Sequence, residues 1–226
     1  AAAEPLRRLS GERKQQENAD KKQEVKLKKQ VKVDGRISEV KLMHNPIVVR
    51  VNKFNEDAAK KFTQDMAAAH NSGQPIIPIV IDSYGGQVYS LMSMIADIKS
   101  ADLPVATIVE AKAMSCGAVL FTFGEDGHRY MAPDATVMIH DVSSGGFGKV
   151  EELKADAAEA DRLDQKIFKM MAQNCGKKDD YFKKIVHKKG HADWFLDAEE
   201  CKKHNICNHI RVPSFTVNID VNMELD

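Results

Sequence analysis

Apolar and polar positions along the chain alternate between a two-residue rhythm and a three-to-four-residue rhythm, and the switches predict a succession of strands and helices. Val25, Leu27, Val31 and Val33 sit on alternate positions, and Ile37, Val40 and Leu42 follow after Asp34-Gly35. Alternating segments joined by Asp-Gly predict a β-hairpin over 25–42 that turns at this dipeptide. The run from Pro46 to Val51 predicts a strand. Ala58, Ala59, Phe62, Met66 and Ala69 form one stripe of a helix over 56–70, which Asn71-Ser72-Gly73 ends. The unbroken apolar run Ile76–Ile81 predicts a strand covered on both faces, as in a parallel sheet. Val88, Leu91, Met92, Ile95 and Ile98 return to helical spacing.

The rhythm continues beyond these elements. Val105–Val109 reads as a second buried strand, Gly117–Phe123 as a short apolar helix, and Val137-Met138-Ile139 as a third strand that ends at His140. A long helix follows, with Val150, Leu153, Ala157, Leu163, Ile167 and Met170 on its stripe. Asp197, with Glu200 three residues on, predicts a capped final helix, and Asn205 a left-handed helix end. Phe215, Val217, Ile219, Val221, Met223 and Leu225 alternate with polar residues, which predicts a half-buried strand. An exposed stripe of that size invites aggregation, so it must cover the subunit's own outer surface or a neighbour. Strands alternating with helices argue for an α/β fold with right-handed crossovers.

Composition narrows the classes. A chain of 226 residues can bury a single-domain core, and its formal net charge of zero gives no basic field for nucleic acid. No apolar run reaches membrane-spanning length, and the charged N-terminus is no signal peptide. Residues 1–24, with Arg7-Arg8, Arg13-Lys14 and Lys21-Lys22, read as a solvated tail, with docking to an acidic partner as the sharper alternative. Cysteines at 116, 175, 201 and 207 are too sparse for a disulfide scaffold, so reduced thiols and a cytoplasmic setting are expected. In Cys201-x-x-His204-x-x-Cys207-x-His209, the first three would fall on a helix and its tight stop, which does not suit a metal knuckle.

Chemistry concentrates between residues 82 and 140. Gly85-Gly86 follows a buried strand and offers bare backbone N–H groups to a ligand. Ser115 stands between a strand and a short helix, where amide N–H groups favour a developing anion. This is nucleophile-elbow logic without the Gly-x-Ser-x-Gly signature. His140 ends its strand on the edge where open α/β sheets carry ligands.

Asp82-Ser83-Tyr84-Gly85-Gly86, Ala113-Met114-Ser115-Cys116-Gly117, Val137-Met138-Ile139-His140 and Asp193-Trp194-Phe195-Leu196-Asp197-Ala198-Glu199-Glu200 together resemble the ClpP family, the proteolytic subunits of Clp proteases. The resemblance covers residues 37–211, between a charged N-terminal segment over 1–36 and a C-terminal strand extension over 212–226. It implies the repeated β-β-α superhelix shared with the crotonases, with a parallel sheet and a handle over about 141–190. It also implies a serine endopeptidase in which Ser115 is the nucleophile, His140 the base and Asp193 the orienting acid. Asp141 neighbours His140 on a strand and should face away, while Asp197 is better used as a cap.

The backbone N–H groups of Gly86 and Cys116 would form the oxyanion hole. An extended peptide would lie between the Gly85-Gly86 edge and Gly145-Gly146. No metal or cofactor is implied. The expected assembly is a homo-oligomeric ring of seven, single or stacked as a tetradecamer, acting on peptides or unfolded proteins, with an AAA+ unfoldase or host ClpP-type subunits as candidate partners. No nucleic-acid or membrane partner is expected.

Several positions depart from the family pattern. Tyr84 replaces its proline, Cys116 its methionine, and His191-Ala192 the acidic-plus-arginine pair that helps lock two rings, and residues 1–36 do not match its axial segment. The Lys-rich start and long C-terminal strand look most like phage-encoded members, which would act in a bacterial or infected-host cytoplasm. The rivals are a silent ring subunit that modulates a host Clp complex, a head-maturation protease without an unfoldase, and a crotonase-like acyl-CoA enzyme.

Overall fold

The computed structural model describes residues 26–29, 40–143 and 149–221, with side chains over 45–143 and 149–216. The expected turn at Asp34-Gly35, the charged tail over 1–24 and the pair Gly145-Gly146 lie outside the described residues. The chain divides into two compact units, 1–46 with 214–226 and 47–213.

The first unit holds strands β1 (Lys26–Lys29), β2 (Val40–His44) and β10 (Val217–Val221) in the order β1-β2-β10. Both pairings are antiparallel. Lys29 faces Val40, and Ile219 faces Leu42. The alternating C-terminal segment therefore pairs with this chain's own β2 through the backbone.

The second unit runs β3 (Val49–Val51), α1 (Glu56–Asn71), β4 (Ile77–Ser83), α2 (Val88–Ser100), β5 (Val105–Met114) and α3 (Cys116–Phe121). It continues with β6 (Arg129–Met131), β7 (Thr136–Ile139), α4 (Val150–Asn174), α5 (Tyr181–Lys188), β8 (Trp194–Leu196), α6 (Ala198–Lys203) and β9 (His209–Ile210). Parallel strands β3-β4-β5-β6-β9 form the main path of a seven-stranded sheet. The expected α/β fold with a mostly parallel sheet is what forms, and the segment over 46–51 contributes a shorter strand than its apolar run suggests.

Local chemistry explains the elements that carry the site. The Asn55 side chain accepts the Ala58 N–H at 2.8 Å to start α1, and Gly73 at φ +78° follows its end. β4 is buried at every position except Asp82, so its side chains meet protein on both faces. Full burial of each of Ile77, Ile79 and Ile81 contributes on the order of 1.5–3 kcal/mol. α3 is apolar and buried at all its positions, so it forms through packing.

β5 extends beyond the apolar run that announces it. Its register against β4 shifts between Ile81 opposite Val109 and Ser83 opposite Ala113, which leaves extra residues on the β5 side. Thr107–Val109 pairs with β6, whereas Lys112–Met114 pairs with β7. The charged positions Glu110 and Lys112 occupy the irregular stretch, and Lys112 pairs with Asp82 at 2.6 Å.

Arg129 is buried and donates to the carbonyls of Gly124 (3.1 Å), Asn205 (3.0 Å) and Ile206 (3.1 Å). It thereby ties the turn after α6 to β6. Asn205 has the expected left-handed conformation at φ +60°, and the Asp197 carboxylate accepts the Glu200 N–H at 2.8 Å as a cap. Only the C-terminal half of α4 is buried, through Leu163, Ile167, Phe168 and Met171, while Val150 and Leu153 at its start are exposed.

Candidate active site

Three elements meet at one end of the sheet. β5 delivers Ser115 immediately after Met114, and α3 begins at the next residue. Ser115 adopts φ 55° and ψ −119°, a conformation rarely populated by a residue with a side chain. Its backbone is held on both sides: its N–H donates to Met138 O at 2.9 Å, and its carbonyl accepts the Val119 N–H at 3.2 Å. His140 follows the last residue of β7, and its Nε2 lies 2.8 Å from Ser115 Oγ.

Asp193 arrives by antiparallel pairing. β8 pairs with β7 so that Trp194 faces Ile139, and one further step along the same ladder sets Asp193 opposite His140. Opposed residues of a ladder share one face. Asp193 Oδ1 is 4.0 Å from His140 Nδ1, within ion-pair reach but longer than a hydrogen bond. Asp141 turns elsewhere, with Oδ2 2.5 Å from His191 Nδ1.

The glycine turn is fixed as closely. Ser83 is buried, and its Oγ accepts the Gly85 N–H at 3.0 Å. A Cβ on Gly85, whose φ is +105°, would lie 2.7 Å from Ser115 Cβ, so this turn packs directly on the serine. Gly86, at φ +153°, forms a parallel bridge with Phe54, and Phe54 O accepts the Gln87 N–H at 2.8 Å. Among the described residues, the N–H groups of Gly86 and Cys116 meet no acceptor.

Side chains that periodicity does not single out also shape the site. Cys116 Sγ donates to Gly86 O at 3.3 Å, so the thiol joins the turn to the start of α3. The sequence assigns a role only to the Cys116 backbone; the side chain has one as well. Burial pushes this thiol up from its ordinary value, which keeps it protonated as a donor. Asp164 accepts the Val142 N–H at 3.0 Å and pairs with Lys183 at 3.3 Å, which anchors the segment that follows His140. A carboxylate beside Leu163 and Ile167 on the buried half of α4 was the available signal. Tyr84 is exposed, and the Lys112 ammonium lies over its ring at 4.6 Å.

A cavity of about 60 Å³ opens beside Ser115 and His140 and is walled by Leu91, Val119, Ile139, Phe168 and Met171. Gly145 and Gly146, the expected second edge of a peptide groove, lie outside the described residues. Cys201, His204, Cys207 and His209 do not gather as ligands. His204 Nδ1 lies 2.8 Å from the Tyr181 hydroxyl, and burial pushes the Cys207 thiol up to about 11 and Cys201 likewise upward. All four cysteines are buried and free.

A family model described as Clp protease matches residues 33–213. The chain belongs to the Clp protease family. ATP-dependent Clp protease proteolytic subunit 1 of Rhodopirellula baltica (strain DSM 10527 / NCIMB 13988 / SH1) is 30% identical over 134 residues, which are 59% of this chain and 57% of that relative. The chain thus aligns with little more than half of that Clp subunit. Among the described residues no helix is long and apolar enough to cross a membrane.

Proposed function

We propose that this Clp family member is a serine endopeptidase in which Ser115, His140 and Asp193 act in series. The observation that carries the reading is the 2.8 Å contact between Ser115 Oγ and His140 Nε2 at a strained strand-to-helix turn. His140 Nε2 takes the serine proton as Oγ attacks the scissile carbonyl, then returns it to the leaving amine. Asp193 selects the tautomer with the proton on Nδ1 and stabilises the imidazolium that forms. A small closing movement of the Asp193 segment brings its carboxylate from 4.0 Å into hydrogen-bond range.

The N–H groups of Gly86 and Cys116 receive the tetrahedral oxyanion, and each such donor is typically worth about 3–4 kcal/mol in the transition state. The substrate peptide lies extended along the Gly85-Gly86 edge and towards Gly145-Gly146, with one apolar side chain in the cavity lined by Phe168 and Met171. Leu91, Val119, Ile139, Phe168 and Met171 offer that side chain apolar contact, so apolar residues are preferred. The working form is a homo-oligomeric ring of seven, with the exposed start of α4 packed against another subunit. An AAA+ unfoldase supplies unfolded protein where the substrate is large.

Labelling by a fluorophosphonate probe, together with hydrolysis of short apolar fluorogenic peptides, tests this reading. Ser115→Ala is expected to keep the fold, lose the label and reduce turnover by several orders of magnitude. Unchanged turnover in a clean preparation of that variant would overturn the assignment.

A further inference from the structure

One cluster of metal-ligating side chains lies outside the proposed triad. Asp141, His187 and His191 each offer a ligand atom, and these atoms all lie within 4.8 Å of one another. The backbone is built to bring them together. α5 ends near Lys188, and Gly190 at φ +71° and His191 at φ +60° then reverse the chain in two left-handed steps. The Gly190 N–H donates to His187 O at 2.9 Å and the His191 N–H to Val186 O at 3.1 Å, which lock the reversal.

As a result, the rings of His187 and His191 stand 4.3 Å apart between centroids, and His191 Nδ1 reaches Asp141 Oδ2 at 2.5 Å. The other carboxylate oxygen, Asp141 Oδ1, is buried and accepts no hydrogen bond among the described residues. A helix end needs only one left-handed residue to stop, so the second one and the orphaned oxygen both call for another explanation. A bound cation would draw on lone pairs that no donor satisfies.

We propose that Asp141, His187 and His191 form a divalent transition-metal site that clamps the end of β7 to the C-terminal turn of α5. Two imidazoles with one carboxylate match borderline ions such as Zn²⁺, which bind at about 2.0–2.2 Å and leave a fourth position for water. Ligand atoms around such a tetrahedral ion lie about 3.4 Å apart, so Asp141 and His191 part slightly while the exposed His187 ring turns inward. The clamp joins the residue after His140 to a residue two before Asp193. His187 and His191 lie outside the cavity proposed for the substrate, whereas Asp141 is part of its lining.

Zn²⁺ binding to the full chain, measured by competition with a chromophoric chelator, tests the site, with Co²⁺ absorption reporting coordination geometry. One ion per chain and a melting temperature that rises with Zn²⁺ concentration are expected, because binding to the folded state alone stabilises it. Loss of an outer partner commonly costs a metal site about 10–100-fold in affinity, so His187→Ala and His191→Ala should each cost at least that. His187 is exposed, so His187→Ala should melt like the parent protein without Zn²⁺ and show no shift with it. Absence of binding, or a Zn²⁺ shift that persists in His187→Ala, would overturn the proposal. Both readouts are independent of peptidase activity, so this inference and the proposed function fail separately.

Discussion

Replacing Gly86 with alanine tests both its unusual backbone, at φ +153°, and the proposed presentation of its N–H to the reacting carbonyl. An added Cβ would stand 2.4 Å from Phe54 O and 3.0 Å from Phe54 Cβ. Restoring an ordinary contact requires the two backbones to part by roughly 1 Å. That movement stretches the 2.8 Å bond from the Gln87 N–H to Phe54 O beyond hydrogen-bond range. Misplacement by about 1 Å can cost 10²-fold in rate, and loss of an oxyanion donor about 10²–10³-fold, so kcat/KM should fall by about that much.

Stability should fall as well, by about 1–3 kcal/mol for the strained backbone, or about 2–4 °C in Tm for each kcal/mol. Gly73→Ala is the internal control. Gly73 also has a positive φ, of +78°, but a Cβ there meets nothing within 4 Å. It should cost about 1 kcal/mol in stability and leave turnover unchanged. Hydrolysis of a short fluorogenic peptide and a melting curve on both variants decide the matter. If Gly86→Ala keeps turnover within about threefold of the parent, or Gly73→Ala loses as much, the Gly86 N–H has no part in catalysis.

Two further outcomes follow from the same geometry. Cys116→Ala removes the thiol that donates to Gly86 O, so kcat should drop several-fold with KM little changed, and Cys116→Ser should restore part of the loss; equal kinetics in all three proteins would show that the thiol does not position the turn. His204 is pushed below its ordinary value, first by burial, so the folded state binds fewer protons than the unfolded chain. Its contribution to stability is complete above the unfolded value of about 6.5 and is lost as pH falls through the lowered folded value, so Tm should decline more steeply from pH 7 to 5 in the parent than in His204→Gln. Parallel declines would remove His204 as the cause.

The parts of this molecule that were legible in its sequence are those whose residues carry a long periodic signal. α1, β4, α2 and the start of β5 were visible because a stripe or an apolar run spans several turns or a whole strand. Ser115 and His140 could be picked out because each stands at the end of such a run. What escaped is short or polar. β8 has only three residues, Trp194–Leu196, too few for a period of two to show, although it is the strand whose register sets Asp193 opposite His140. The second half of β5 was hidden because Glu110 and Lys112 interrupt the apolar run where the register shifts. Arg129 reads as surface in any sequence, yet it is buried because three backbone carbonyls converge on its guanidinium. Cys116 looks like a change of packing residue, and its donation to Gly86 O depends on a contact between two distant turns.

The pairing of β2 with β10 has a consequence for the time at which the protein becomes whole. These strands come from nearly opposite ends of the chain, with Leu42 set against Ile219. At a synthesis rate of roughly 5–20 residues per second, β2 emerges from the ribosome about 10–35 s before its partner exists. Throughout that interval β1 can cover one side of β2, and the other side offers unpaired N–H and C=O groups to any passing strand. The nascent chain therefore exposes this edge of β2 while the 47–213 unit is already being made.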